Sequence, residues 1–168
     1  MTDVNKSQVD LVKDFMLACD QVTPDYKIDT TKITEQNVKD IKLRLKLILE
    51  ELSEFYEACL DQKTYVLFKI HFNMLQQMTD LLDESLVDFD IVAASDSIVD
   101  LIYVTLGSAV AFGIPHDELF TAVHENNMTK VDPTTGKCIR NEAGKIMKPE
   151  GYQPVDLTPI LQEHGLIK

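Results

Sequence analysis

Carboxylates at helical spacing are the residues of this sequence with the clearest capacity for chemistry. Glu54 follows Glu50 by four residues and Glu51 by three, in a run with the apolar period of an α-helix, so the three side chains share one face. Asp96 and Asp100 are also four residues apart, within an otherwise apolar stretch. An unpartnered carboxylate in apolar surroundings is costly, and neighbouring carboxylates repel one another. A bound cation would relieve both effects.

The donor atoms of this set indicate which cation it would take. Carboxylate oxygens are the ligands that Mg²⁺ and Mn²⁺ prefer, whereas zinc sites ordinarily use Cys or His. A di-iron helical bundle would contain Glu-x-x-His, which does not occur in the sequence. An EF-hand loop beginning at Asp88 also fails, because its twelfth position is Val99 rather than an acid. The sequence therefore predicts a Mg²⁺ site, with Mn²⁺ as the alternative ion.

Each of these groups also has an ordinary structural explanation. A Glu-Glu-x-x-Glu run on a helix is most often a solvated face, and Asp96 could stabilise the start of its helix through the helix dipole. Asp100 is harder to explain in this way, because apolar residues flank it on both sides. Arg44 is either an ion-pair partner for Glu51 or Asp40 or a group that orients a phosphate or carboxylate. These alternatives remain open at the level of the sequence.

Apolar periodicity predicts the helices that would position the carboxylates. A long helix follows an N-cap at Thr34 and continues to about Leu60, so it carries all three glutamates. The run from Ile91 to Phe112 is apolar nearly all round and is predicted to be a buried central helix. Further helical segments are expected at 4–19, 65–82 and about 115–127, with a short turn near Leu161.

The sequence changes character beyond residue 127. Turn-forming residues at 132–136 and 141–144 separate short stretches that predict a small β-hairpin or an extended arm. The expected fold is an all-α helical bundle of about four to five helices with a short irregular or β-hairpin C-terminal arm. The length favours a single domain over 1–168, with its helical core at about 4–127 and the arm at about 128–168.

The distribution of charge distinguishes the acidic helical core from a basic stretch in the C-terminal arm. The sequence has 28 acidic and 16 basic side chains and a net charge of −12. The stretch from Lys130 to Lys148 carries +3, so the remainder carries −15. A strongly acidic protein repels a phosphate backbone, and we therefore expect no nucleic-acid polymer as a partner.

Cysteine content and hydropathy bear on the compartment. Three cysteines without a paired motif favour a reducing environment, and the polar N-terminus shows no secretory signal, so we expect a cytoplasmic protein. The apolar stretch at 91–114 is long enough to cross a bilayer. It contains Asp96 and Asp100, each costing about 3 kcal/mol at a membrane centre, and we therefore expect no membrane association.

Three sequence blocks resemble the all-α nucleoside triphosphate pyrophosphohydrolases, which include MazG proteins, dimeric dUTPases and phosphoribosyl-ATP pyrophosphohydrolase. The first block, 44–54, ends in Glu-Glu-x-x-Glu, and the second, 96–114, contains both aspartates. The third, 123–157, contains His-Glu-Asn-Asn-Met-Thr-Lys and Gly-Tyr-x-Pro. Two departures stand out: Ser97 occupies the position where the family commonly has the Glu of Glu-x-x-Asp, and 63–83 reads as an added helical segment.

The resemblance implies hydrolysis of a nucleoside triphosphate between its α and β phosphates, giving a nucleoside monophosphate and pyrophosphate. It further implies a homodimer or a dimer of dimers, and Mg²⁺, or Mn²⁺, held by Glu51, Glu54, Asp96 and Asp100. Glu50 would act as the base or as an additional ligand. The phosphates would be received by Lys130, Asn127, Arg44 and Lys145.

Two other functions remain open. One is hydrolysis of phosphoribosyl-ATP in histidine biosynthesis, which the same resemblance allows. The other is a non-catalytic, metal-binding regulatory bundle, in which the cation is structural and the basic arm binds an acidic protein surface.

Overall fold

A computed structural model describes residues 6–141 and 146–168 of the chain. Six helices and one short hairpin follow one another along these residues: α1 (Gln8–Ala18), α2 (Glu35–Cys59), α3 (Gln62–Asp80), α4 (Ile91–Phe112), α5 (His116–Met128), β1 (Val131–Asp132), β2 (Lys137–Cys138) and α6 (Thr158–Glu163). The predicted all-α fold with a hairpin in the C-terminal arm is confirmed. Lys145, one of the predicted phosphate-binding residues, lies outside the described residues.

The chain divides into two compact units, one formed by residues 27–97 and the other by residues 1–26 together with 98–168. The boundary falls within α4, between Ser97 and Ile98. That residues 1–168 form one domain stays a prediction.

The unit of residues 27–97 is built on the paired helices α2 and α3. Thr34 caps α2 in a reciprocal capping box with Asn37, as the sequence predicts: its hydroxyl accepts from the Asn37 amide at 3.2 Å. Tyr65 of α3 is buried, with its hydroxyl 3.1 Å from Ser53 Oγ of α2. The Tyr56 ring meets that of Phe72 edge-on at 5.3 Å between centroids. These aromatic contacts hold the two helices together.

Two lysines of α2 join it to the C-terminal end of α3. Lys42 Nζ donates to the Asp80 carbonyl at 2.9 Å, and Lys46 Nζ pairs with the Asp80 carboxylate at 2.8 Å. A positive charge at a helix C-terminus interacts favourably with the helix dipole. The register between the two helices is thereby fixed at this end.

In the other unit, the C-terminal arm is anchored to the end of α1. The strands β1 and β2 pair antiparallel, with Val131 opposite Cys138. Cys138 forms a disulfide with the buried Cys19, the C-cap of α1. No spacing motif predicts this pair, and it departs from the reduced cysteines that the sequence led us to expect. Lys137 and Arg140 also reach the last turn of α1 and the residues just after it. We call these three residues of the arm, Lys137, Cys138 and Arg140, the arm anchor.

Helix α4 has the predicted boundaries but not the predicted burial. No residue of α4 is buried within the chain, and Val110 and Tyr103 are 82% and 77% exposed. The prediction of a buried central helix is therefore wrong for the single chain. Apolar periodicity indicates that a helix has an apolar face that must be buried. It does not indicate whether the residues that bury this face belong to the same chain. By length and composition alone, α4 could also cross a membrane.

Candidate active site

Three glutamates, Glu50, Glu51 and Glu54, lie on one face of α2, which we call the acidic face. All three are solvent-exposed. Loss of hydration raises the pKa of Glu51, and the negative charges of Glu54 and Glu50 raise it further. The charges on this face act on one another, as the sequence spacing predicts.

The two aspartates lie on α4, and both are exposed. Asp96 belongs to the unit of residues 27–97 and Asp100 to the other unit. Among residues 6–141 and 146–168, no three His, Cys, Asp or Glu side chains are grouped as metal ligands. That Glu51, Glu54, Asp96 and Asp100 share a metal ion thus stays a prediction.

The acidic face suits Mg²⁺ or Mn²⁺ in its chemistry. Its donors are carboxylate oxygens, which these hard cations prefer. Loss of hydration and the charges of Glu54 and Glu50 both raise the pKa of Glu51, and a bound cation would compensate that negative charge. Arg44 lies on the same helix, N-terminal to the acidic face, and its side chain is half-buried.

At the C-terminal end of α5, the structure brings two predicted phosphate-binding residues together. Lys130 Nζ donates to Asn127 Oδ1 at 2.7 Å. The same Nζ lies 5.9 Å from the centroid of the Phe15 ring and 5.5 Å from that of Tyr152. Burial lowers the pKa of the Lys130 ammonium, and the nearby charge of Lys148 lowers it further. The ammonium group is thus held in place by neutral partners.

Sequence reasoning missed two residues here, Tyr152 and Lys148. Lys148 Nζ lies 5.1 Å from the centroid of the Tyr152 ring, the ring that Lys130 also faces. A cavity of about 190 Å³ is lined by residues 129–133 on one side and by Ile139 and residues 147–149 on the other. The Gly-Tyr-x-Pro segment in the third sequence block was the available signal for Tyr152.

Two other basic residues of the arm, Lys137 and Arg140, are engaged with the end of α1. Lys137 forms an ion pair with Asp20 and donates to the Leu17 carbonyl at 3.4 Å. An Arg140 guanidinium N–H donates to the Cys19 carbonyl. Arg140 therefore serves to hold the arm on α1.

Comparison with known proteins decides the family. Residues 12–127, more than half of the chain, match the family model of phosphoribosyl-ATP pyrophosphohydrolase. The chain belongs to the phosphoribosyl-ATP pyrophosphohydrolase family. It is a pyrophosphatase, a hydrolase acting on acid anhydrides, so the predicted superfamily and the prediction of an enzyme are confirmed.

A solved structure shares the fold of this family member. The crystal structure of a proposed NTP pyrophosphohydrolase from Exiguobacterium sp. 255-15 superposes with a TM-score of 0.64 at 22% sequence identity. The alignment covers 96% of this chain and 95% of that one. No curated protein sequence matches the chain.

The family match includes the acidic face, both aspartates of α4 and Asn127. It ends within α5, so Lys130, Lys148 and Tyr152 lie beyond the matched segment. The carboxylates therefore belong to the part of the chain that defines the family.

Proposed function

We propose that this pyrophosphohydrolase is a Mg²⁺-dependent enzyme that cleaves ribo- or deoxynucleoside triphosphates between the α and β phosphates. Water is consumed, and a nucleoside monophosphate and pyrophosphate are released, a reaction suited to control of nucleotide pools in the cytoplasm. The observation that carries the proposal is the acidic face on α2, whose mutually repelling carboxylates lie within the segment that matches the family.

In this proposal each carboxylate has a role. Glu51 and Glu54, with Asp96 and Asp100, hold Mg²⁺ or Mn²⁺. A metal ion held there would supply positive charge for the phosphates and would lower the pKa of a water molecule. Glu50, next to Glu51 in the chain, accepts the proton of the attacking water or adds a further ligand.

The phosphate tail needs positive charge that the acidic face cannot provide. Lys130 and Asn127, which are hydrogen-bonded at the end of α5, receive the tail. Arg44 and Lys145 are the remaining candidates for contact with phosphate oxygens. The charge of a substrate with about four negative charges would then be offset by the metal ion and by these side chains.

Phosphoribosyl-ATP is the second candidate substrate, because the matching family model is that of phosphoribosyl-ATP pyrophosphohydrolase. Its hydrolysis breaks the same kind of phosphoanhydride bond. We propose to offer the purified protein phosphoribosyl-ATP beside a panel of ribo- and deoxynucleoside triphosphates, with Mg²⁺, with Mn²⁺ and with chelator. Pyrophosphate release from at least one triphosphate, abolished by chelator, is expected. No release from any of them would overturn the proposal, and release from phosphoribosyl-ATP alone would replace it.

The exposed apolar surface of α4 supports the further proposal of a homodimer or a dimer of dimers. Large apolar patches on a chain mark contact surfaces, and Val110 is the most exposed large apolar residue of this helix. Light scattering should give about 38 kDa or more, at least twice the chain mass of 19.0 kDa. Val110→Glu should shift the mass towards the monomer. A monomeric wild type would contradict this assembly.

A further inference from the structure

Lys148 is placed by a tight turn in the C-terminal arm. The Tyr152 amide donates to the Pro149 carbonyl at 3.1 Å, which closes a four-residue turn. Gly151 has a φ of +78°, as the third position of a type II turn requires. The turn folds the chain back on itself, so that Lys148 Nζ comes within 5.1 Å of the centroid of the Tyr152 ring. The position of this ammonium is therefore built into the local backbone.

Tyr152 is itself fixed to the end of α5. Its hydroxyl donates to Asn126 Oδ1 at 2.6 Å, and Asn126 Nδ2 donates to the Gln153 carbonyl at 2.8 Å. Lys130 Nζ lies 5.5 Å from the centroid of the same ring. One lysine from the end of α5 and one from the arm thus meet at a single aromatic side chain.

Within the described residues, no ion pair with a carboxylate neutralises these two cations. None of the ion pairs within residues 6–141 and 146–168 includes Lys130 or Lys148. The polar partner of Lys130 is the neutral Asn127 amide, and the contacts of its ammonium with aromatic rings offset only part of the cost of burying that charge. The charge of Lys148 disfavours that of Lys130.

One carboxylate does line the neighbouring cavity, that of Asp132. It is engaged by the hairpin turn, because Asp132 Oδ1 accepts from the Thr134 amide at 2.7 Å and from the Thr135 amide at 3.4 Å. In a chain with a net charge of −12, two lysines kept together without an acidic partner form a place prepared for an anion.

We infer that Lys148 and Lys130 form a two-lysine site for the polyphosphate tail of the substrate, with Tyr152 as the residue that positions both ammonium groups. As a nucleotide site, the two-lysine site rests on the proposed function, because the lysines would bind the β and γ phosphates of the substrate. As a site for a polyphosphate anion it stands independently. Lys148 thereby becomes a binding residue in the arm, outside the segment that matches the family.

The test measures binding of inorganic tripolyphosphate to the metal-free protein by calorimetry, in the presence of chelator. Lys148→Gln should weaken binding about tenfold, because a charge-assisted hydrogen bond is lost. Lys148→Arg should retain affinity within about threefold, since the charge remains. Lys69→Gln is the matched control, because Lys69 Nζ lies 5.4 Å from the centroid of another tyrosine ring, that of Tyr65, in the other unit.

Two further variants separate charge from folding. Lys148→Met keeps an apolar stem on Tyr152 without the charge, and it should lose as much affinity as Lys148→Gln. Gly151→Ala strains the positive φ that the turn needs and should weaken binding while leaving both lysines in the chain. The thermal unfolding midpoint of each variant is recorded alongside.

The outcomes are distinct. Unchanged binding by Lys148→Gln and Lys148→Met, or an equal loss in Lys69→Gln, would overturn the two-lysine site. If no nucleotide is hydrolysed but tripolyphosphate binding still depends on Lys148, the proposed function fails and the anion site stands. In an active enzyme, Lys148→Gln should raise KM for the nucleotide with kcat nearly unchanged, as expected for a contact made equally in ground and transition states.

Discussion

The acidic face of α2 and the arm anchor beside α1 handle charge in opposite ways. On the acidic face, loss of hydration raises the pKa of Glu51, and the charges of the neighbouring carboxylates raise it further. In the arm anchor, each positive group has an acceptor within the chain: Lys137 pairs with the Asp20 carboxylate, and Arg140 donates to the Cys19 carbonyl. The disulfide from Cys138 to Cys19 then makes the connection covalent.

This difference indicates that the acidic face is suited to binding a ligand and the arm anchor to stabilising the fold. A region whose like charges repel one another contributes little to stability but is prepared for a cation. A region whose charges are paired within the chain contributes to stability and is unsuited to a charged ligand. Substitutions in the acidic face should therefore change activity and spare the fold, whereas substitutions in the arm anchor should do the reverse.

The largest effect is expected from the predicted metal ligands. Glu54→Gln and Asp100→Asn should each lower kcat/KM for the preferred nucleotide by roughly 100- to 1,000-fold, because each removes a negative charge proposed to hold the cation. Pyrophosphate release at saturating Mg²⁺ measures the loss. The thermal unfolding midpoint of the metal-free protein should not fall.

Glu35→Gln is the control for this experiment. It makes the same change in charge at the exposed first residue of the same helix, far along the chain from the acidic face, and should leave kcat/KM within about twofold, as surface changes away from a site usually do. Full activity of Glu54→Gln would refute the role of the acidic face. A loss of stability equal to that of an arm-anchor variant would break the comparison between the two regions.

The next largest effect should come from the disulfide. Cys138→Ser removes a bond that joins residues 119 positions apart, and it should lower the free energy of unfolding by about 2–4 kcal/mol. Chemical denaturation in the absence of reductant measures the change. Addition of reductant should lower the wild type to the level of the variant.

Cys59→Ser provides the comparison, because Cys59 is the free, exposed cysteine among the described residues. Its stability should match that of the wild type with and without reductant. If reductant left the wild type unaffected, the pairing of Cys19 with Cys138 would be wrong for the protein in solution. The arm would then depend on its polar contacts alone.

A smaller effect is expected at Lys137. Lys137→Ala removes an exposed ion pair with Asp20 and a hydrogen bond to the Leu17 carbonyl, which together should lower the free energy of unfolding by about 0.5–1 kcal/mol. Denaturation at low and high salt measures it, and the difference from wild type should shrink at high salt. An unchanged difference at high salt would show that the charge of Lys137 is not what holds the arm.

Much of the helical scaffold could be predicted because its signals are local. Thr34 and Asn37 form the capping box that their spacing indicates, and Ile91 and Phe112 bound α4 as the apolar run suggests. The spacing of the glutamates likewise places them on one face of α2. Capping and periodicity act over a few residues, so a single sequence contains them in full.

What the sequence could not show depends on contacts between distant residues. Cys19 and Cys138 have no spacing motif, because their pairing arises only when the arm lies against α1. Lys148 meets Tyr152 only through the turn at Gly151. The prediction that α4 is buried was wrong for a related reason, because an apolar face does not specify which chain buries it.

The smallest effect, and the one whose sign distinguishes the two regions most directly, is expected at Glu51. Its pKa is raised in the folded protein, so its carboxyl favours the folded state fully at pH values below the unfolded pKa, and this contribution is lost as the pH rises through the folded pKa. Glu51→Gln should therefore raise the unfolding midpoint of the metal-free protein by about 1–2 °C at pH 7, with no difference near pH 3. Thermal unfolding at the two pH values measures this change, and a lower midpoint at pH 7 would contradict it. With added Mg²⁺ the wild type should have the higher unfolding midpoint, because only a chain that binds the cation tightly gains stability from it. A repulsive, cation-binding face therefore requires that Glu51→Gln raise the midpoint of the metal-free protein and lower it, relative to wild type, when Mg²⁺ is present. No residue of the arm anchor should behave in this way.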